Sequence, residues 1–217
     1  MALFVVRVWL PDRPGALGAV AVRIGAVRAD VVGIDILERD GGRVVDELTI
    51  ELADPQLVDL LVEEISQVDG VDVEHVRPAY DGVTDRAVES LEVAASLASG
   101  ATPDEVLERL VNAMPYLFDV DWAAVLDPAE SRIVATAGGG ELPSAEWLCS
   151  FVIGTGSGDG AFAAVEELTR VSLPKLGYQL LVSREHLTLR EGERQVMASL
   201  AVISDHRCIE RGWLPAV

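Results

Sequence analysis

The first eighty residues switch between two hydrophobic periods, and the switches are punctuated by proline and glycine. Leu3 to Trp9 is a run of β-formers and predicts a strand. Pro11-Asp12-Arg13-Pro14-Gly15 breaks it, with Pro14 suited to the first position of a helix, where a missing N–H costs nothing. Leu17, Val20, Ala21, Ile24 and Val27 then lie on one helical face. Val31–Glu38 and Val44–Leu52 predict two strands joined at Arg39-Asp40-Gly41-Gly42, a hairpin turn in which glycines take positive φ. Asp54-Pro55 reads as a cap followed by a first-turn proline. Leu57, Val58, Leu61, Val62 and Ile65 form the next apolar face, Gly70 ends it, and Val71–Val76 predicts a last strand. The order is βαββαβ, an α+β arrangement with two helices on one face of a four-stranded antiparallel sheet, which is ferredoxin-like.

Pro78 to Gly82 reads as a linker, placing one domain at 1–78, a connection at 79–85 and a second domain at 86–217. The second half opens with a helix near Arg86–Ser99. Thr102-Pro103-Asp104-Glu105 is a capping box with proline at the first helical position. Val106, Leu107, Leu110, Val111 and Met114 give the helix that follows its apolar side. Trp122–Leu126, Arg132–Ala137 and Gln179–Ser183 predict strands, and Gly138–Gly140 and Gly154–Gly160 predict loops. Thr188 with Glu191 suggests a second capping box. A long helix is expected from there to about Cys208, with Val196, Leu200 and Ile203 as its stripe and Met197 and Ala201 beside it.

Composition narrows the function classes. Thirty-six acidic residues against 17 basic ones give a formal charge of −19 over 217 residues. Such a chain repels nucleic-acid phosphates and anionic membrane surfaces, so neither is an expected partner. No window approaches the ~18–20 apolar residues of a membrane span. The opening Met-Ala-Leu-Phe-Val-Val-Arg lacks the basic start of a signal peptide. The two cysteines, Cys149 and Cys208, show no disulfide framework, and the cytoplasm is the expected compartment.

Candidate chemistry is sparse. His75, His186 and His206 share no metal-ligand spacing, so no metal and no other cofactor is expected. Ser157 lacks glycine at the two positions a nucleophile elbow requires, and Cys149 sits in an apolar setting, so no catalytic residue is assigned. The glycines at 154–160 lack the Lys-Ser/Thr of a phosphate loop. The acidic pairs Glu63-Glu64, Glu166-Glu167 and Asp46-Glu47 are given no weight in a chain so rich in acids. Asp12-Arg13-Pro14-Gly15-Ala16-Leu17 is different. It joins a strand to a helix N-terminus, whose unpaired amides and positive dipole end suit a carboxylate. Gly15 permits close approach, and Asp12 suits an ammonium group. The same residues also serve simply to shape a turn, and the sequence leaves both readings open.

With strand, Asp-Arg-Pro-Gly-Ala-Leu, helix, strand, hairpin, strand, helix and strand in this order, residues 3–78 resemble the ACT domain, a module that binds amino acids and regulates metabolic enzymes. The resemblance implies side-by-side pairing, with ligand held between the first loop of one module and the second strand of its mate. Carried over by position, it points to Asp12, Gly15, Ala16 and Leu17 on the loop, and to Asp30 and Val31 on the second strand. Aspartates where some members carry asparagine hint at a cationic or amine-bearing ligand. Residues 86–208 resemble a GAF domain, through Leu180-Leu181-Val182-Ser183-Arg184 followed by Leu189-Arg190-Glu191-Gly192-Glu193-Arg194 and a long helix. That resemblance implies a sensory or dimerising module. Together they imply a non-catalytic regulatory homodimer that binds a small amino acid and acts on a partner protein. The alternatives are an assembly module without ligand, or a nucleotide or heterocycle sensor acting through the second half.

Overall fold

The structure, a computed structural model, describes residues 1–79, 86–154, 162–165, 167–185 and 187–212. Most of the expected linker, the glycine run 155–160 with Ser157, Glu166 and His186 lie outside the described residues. The chain divides into two compact units, Met1–Arg86 and Ala87–Val217.

The first unit contains β1 (Ala2–Pro11), α1 (Ala16–Ala26), β2 (Asp30–Asp40), β3 (Arg43–Leu52), α2 (Val58–Ser66) and β4 (Asp72–Pro78), so it is the βαββαβ fold expected from the sequence. The sheet is antiparallel at every pairing, in the order β2-β3-β1-β4. Alternation along the two central strands builds the core. Val6, Val8 and Leu10 of β1 and Leu48, Ile50 and Leu52 of β3 pack with Val20 and Ile24 of α1 and Leu61 and Ile65 of α2. Both helices therefore cover one face. Gly41 and Gly42 hold φ of 56° and 80°, as a two-residue hairpin with the strands' twist requires. Asp54 caps a short turn at Pro55–Leu57, accepting from the Gln56 amide at 3.0 Å.

Pro14 is not the first helical residue. Gly15 takes a left-handed φ of 89° and serves as the N-cap, so α1 begins at Ala16. The buried face of α1 is Ala16, Val20 and Ile24, and Ala21 is exposed.

The second unit contains α3 (Arg86–Ser99, its first residue belonging to unit one), α4 (Pro103–Phe118), β5 (Trp122–Asp127), β6 (Arg132–Gly138), α5 (Ala145–Gly154), β7 (Phe162–Val165), β8 (Leu168–Leu173), β9 (Tyr178–Ser183) and α6 (Glu191–Glu210). Its antiparallel sheet runs β6-β5-β9-β8-β7. Ala123 and Val125 of β5 pack with α4 and α6, and Trp122, Ala124 and Leu126 pack with Leu148 and Val152 of α5. A strand buried on both faces reads as a continuous apolar run. Strands β7 and β8 and helix α5 escape the sequence reading. Trp147 and Ile153 of α5 are exposed, which spoils the helical stripe.

The N-terminus of α6 corrects another expectation. Its N-cap is Arg190, and Glu193 accepts from the Arg190 amide at 2.8 Å, so Thr188 and Glu191 are not the capping pair. Glu193 has a second role, which fixes its burial. Arg184 donates through Nη1 and Nη2 to the two carboxylate oxygens of Glu193 at 2.8 and 3.0 Å. Its remaining donors reach the carbonyls of Leu187, Phe118 and Thr188 at 2.7 to 2.8 Å. All five guanidinium N–H groups are thus used. The inward stripe of α6 is accordingly mixed, with Glu193, Ser204 and Asp205 buried beside Met197, Leu200, Ala201 and Cys208, while Val196 and Ile203 are only partly buried.

Removing one partner of a buried ion pair strands the other charge. Glu193→Ala is expected to destabilise the protein by about 3–5 kcal/mol in urea denaturation. Arg23→Ala, which breaks the partly exposed pair with Glu64, is expected to cost under about 1 kcal/mol. Equal losses in the two variants would contradict this account of Arg184.

Candidate functional site at the first helix N-terminus

Strand β1 ends against the β2–β3 hairpin, with Pro11 opposite Arg43. The Asp12 amide donates to the Gly42 carbonyl at 2.8 Å, which ties the β1–α1 corner to the hairpin. At Gly15 no side chain caps the helix. A Cβ built on Gly15 would meet nothing within 4 Å, so the corner is open. Among the described residues, the amides of Leu17 and Gly18 have no hydrogen-bond acceptor. These two N–H groups, at the positive end of the α1 dipole, form a receptor for a carboxylate.

The six residues singled out by the sequence do not all meet at this corner. Asp12 is exposed, and its Oδ1 accepts from Arg39 Nη1 at 3.3 Å. Ala16 is buried, and the side chains of Leu17 and Val31 pack on the core, so these three offer backbone rather than side chain. Asp30 is exposed and stands opposite Glu51, whereas Asp12 follows the end of β1 at Arg43. That is eight residues along β3, or roughly 26 Å at about 3.3 Å per residue. Within one chain, Asp12 and Asp30 belong to opposite ends of the sheet. A cavity of about 230 Å³ opens on the other flank of the corner, between Arg13, Gly15, Ala16 and Ala19 on one side and Val68 and Asp69 on the other.

The sequence reading missed Asp46. The pair Asp46-Glu47, given no weight in the sequence, is buried, with the two residues on opposite faces of β3. Glu47 meets Arg7 on the face away from the helices, its Oε1 accepting from Nε at 2.9 Å and Nη2 at 2.5 Å. Asp46 lies opposite Val8 on one side and Ile36 on the other, on the helix-covered face and three pairs from the hairpin end. It is 3% exposed, and its Oδ1 has no hydrogen-bond partner. Burial pushes its carboxyl up to about 6, opposed by the Arg39 guanidinium and aided by the Asp12 charge. The alternation that places Leu48, Ile50 and Leu52 inward also places Asp46 inward, so a signal for it was present in the sequence.

The remaining candidates stand apart from the corner. Cys149 and Cys208 are buried free thiols, and burial pushes the Cys208 thiol up to about 12. His75 lies on β4, while His206 is exposed on α6 with its Nδ1 3.3 Å from Lys175 Nζ. Among the described residues, no three His, Cys, Asp or Glu side chains converge as a metal site would need, and no helix is long and apolar enough to cross a membrane.

No family model and no curated protein matches the chain. Among solved structures, it is similar to the crystal structure of an unknown protein from Galdieria sulphuraria at 13% identity, covering 94% of this chain and 92% of that one with a TM-score of 0.33. A likeness at that score carries no inference about this chain.

The raised carboxyl of Asp46 has a consequence for stability. An acid that holds its proton more tightly when folded stabilises the fold at low pH and loses that contribution as pH rises through its folded pKa. For Asp46 the loss begins near the ordinary value of 3.8 and is complete above about 6. The difference is worth at most about 3 kcal/mol. Asp46→Asn is therefore expected to be more stable than the wild type by about 1–3 kcal/mol near pH 8, with the advantage gone below about pH 4. Thermal denaturation across that range checks it, and a pH-independent difference would contradict it.

Proposed function

We propose that the protein is a non-catalytic regulator whose first unit is an ACT-like module binding a small amino acid between two copies of the chain. The observation that carries this reading is the open corner: two amides without acceptors at the α1 N-terminus, an αL glycine that leaves space in front of them, and carboxylates beside them. A zwitterion needs one receptor for each of its charges, and this corner offers both kinds.

The sheet edge supports the pairing. Strand β2 is terminal in the sheet and eleven residues long. It exposes Val32, Ile34 and Ile36, the last to 54%. An exposed apolar edge of this length invites another strand. Beside it, α1 carries no charged residue other than Arg23, and Val22 is 72% exposed. Two β2 strands paired antiparallel about a two-fold axis bring the start of one against the end of the other. Asp30 of the partner subunit then comes to the end of the sheet that carries Asp12, which removes the separation found within one chain. The second unit, with its five-stranded sheet between helices, is read as a GAF-like sensory or dimerising module, and the partner protein of the regulator is left to experiment.

Light scattering on the full chain is expected to give twice the 23.2 kDa chain mass, and Ile34→Lys is expected to halve it. Calorimetry against the twenty amino acids at up to about 1 mM is expected to show heat with at least one. A monomeric wild type overturns the paired site. A dimer silent towards every amino acid leaves an assembly module, and stabilisation by purine nucleotides in a parallel thermal-shift screen would favour a nucleotide sensor.

A further inference from the structure

Two carboxylates, Asp12 and Asp46, and the guanidinium of Arg39 interact electrostatically beside the corner. Arg39 donates to Asp12, and both members of that pair are exposed, at 59% and 42% of their side chains. Asp46 is nearly dry, and no hydrogen bond from any described residue reaches its Oδ1. The other acidic residues that are buried among the described residues have donors. Glu47 and Glu193 have arginines, and Asp205 accepts from the amides of Lys175 and Leu176 at 3.0 Å. An ionised group without a donor in such a place calls for one from outside the chain. A hydrogen-bond donor carrying one positive charge would complement it.

We propose that Asp46 is the ammonium receptor of the site, with Oδ1 accepting from a protonated amine of the ligand while the amides of Leu17 and Gly18 take its carboxylate. This rests on the amino-acid reading above and adds the residue that selects for the amine. Exposed ion pairs hold weakly, so Arg39 can swing aside as a ligand enters. Asp12 then becomes a second, outer acceptor for the amine. A carboxylate ligand without an amine leaves Asp46 unmet and is discriminated against. The groups facing Asp46 are few: Asp12 from the loop after β1, Arg39 from β2, and none from α1, whose only titratable side chain, Arg23, is in its last turn and bound to Glu64. Protonation of Asp46 removes the negative charge the amine requires, so binding weakens below about pH 6.

Calorimetry on the full chain separates this proposal from the broader reading. The probes are the twenty amino acids, ethylenediamine as an amine-only ligand and propionate as a carboxylate-only ligand. Wild type and Asp46→Asn are compared near pH 7.5, and wild type again near pH 5. The expected result is that an amino acid binds the wild type, that Asp46→Asn weakens it by on the order of tenfold or more, and that the wild type itself weakens near pH 5 to a similar degree. The pH comparison needs no variant, so a misfolded Asp46→Asn does not rescue the proposal. An amino acid that binds Asp46→Asn as it binds the wild type overturns the role of Asp46 and leaves the amino-acid site standing. Ethylenediamine binding that depends on Asp46, with no response to any amino acid, keeps the ammonium receptor and overturns the amino-acid reading. Silence towards both, or equal binding of propionate and the best amino acid, overturns the proposal.

Discussion

One backbone hydrogen bond, from the Asp12 amide to the Gly42 carbonyl, gathers the features of the first unit that bear on function. Strands β1 and β2 each run antiparallel to β3 between them, so they run parallel to one another. Helix α1 must carry the chain back between them. Its positive end therefore lies where β1 finishes and where the β2–β3 hairpin turns. The bond at Asp12 closes that end. Once it is closed, the amides of Leu17 and Gly18, the Asp12–Arg39 pair and the inward carboxylate of Asp46 all occupy one end of the sheet. The special backbone conformations this arrangement uses are the left-handed glycines at positions 15, 41 and 42.

Asp46 works against the stability of the unit that contains it. Its neighbours along the inward face of β3 are Val44 and Leu48, both buried, and an apolar residue at position 46 would extend that face without electrostatic cost. The nearest cation, Arg39, is spent on an exposed aspartate where it contributes little to folding. Local rules broken without compensation inside the fold are characteristic of sites that do something else. The same reasoning distinguishes Asp46 from Asp12, which an exposed turn tolerates with or without a ligand.

The elements of the first unit were legible because each boundary carries its own chemistry. Gly41-Gly42 can only turn, Asp54-Pro55 can only begin a helical turn, and Gly70, at φ 76°, stands where a Cβ would approach Pro11 to 3.0 Å. Pro14 misled because its fixed φ suits both a first helical turn and the residue before an αL cap, and only Gly15 decides between them. The second unit was less legible for two reasons. Helix α5 exposes Trp147 and Ile153, which spoils its apolar stripe, so it escaped notice. Helix α6 buries Glu193 and Asp205 on its inner side, which erases the apolar stripe from which its facing was inferred. Asp46 was hidden by composition, since one acid among 36 draws no attention until the alternation of its own strand is followed two residues further.

Arg184 gives the measure against which Asp46 stands out. A guanidinium buried in the second unit receives two carboxylate oxygens and three carbonyls, drawn from the end of α4, the segment 187–188 and the first turn of α6. The need to satisfy one charge thereby fixes where three stretches of chain meet. Arg7 does the same on a smaller scale by joining β1 to β3 through Glu47. In both cases the buried charge organises the fold because its partner belongs to the fold. Asp46 organises nothing in its own unit. Its position is set by the alternation of β3, and its charge is met only at a distance, by a guanidinium bonded elsewhere. A buried charge that the chain places but does not complete is physically a half-site, and the half it lacks is a donor small enough to reach past α1 and positive enough to replace the water that burial has removed.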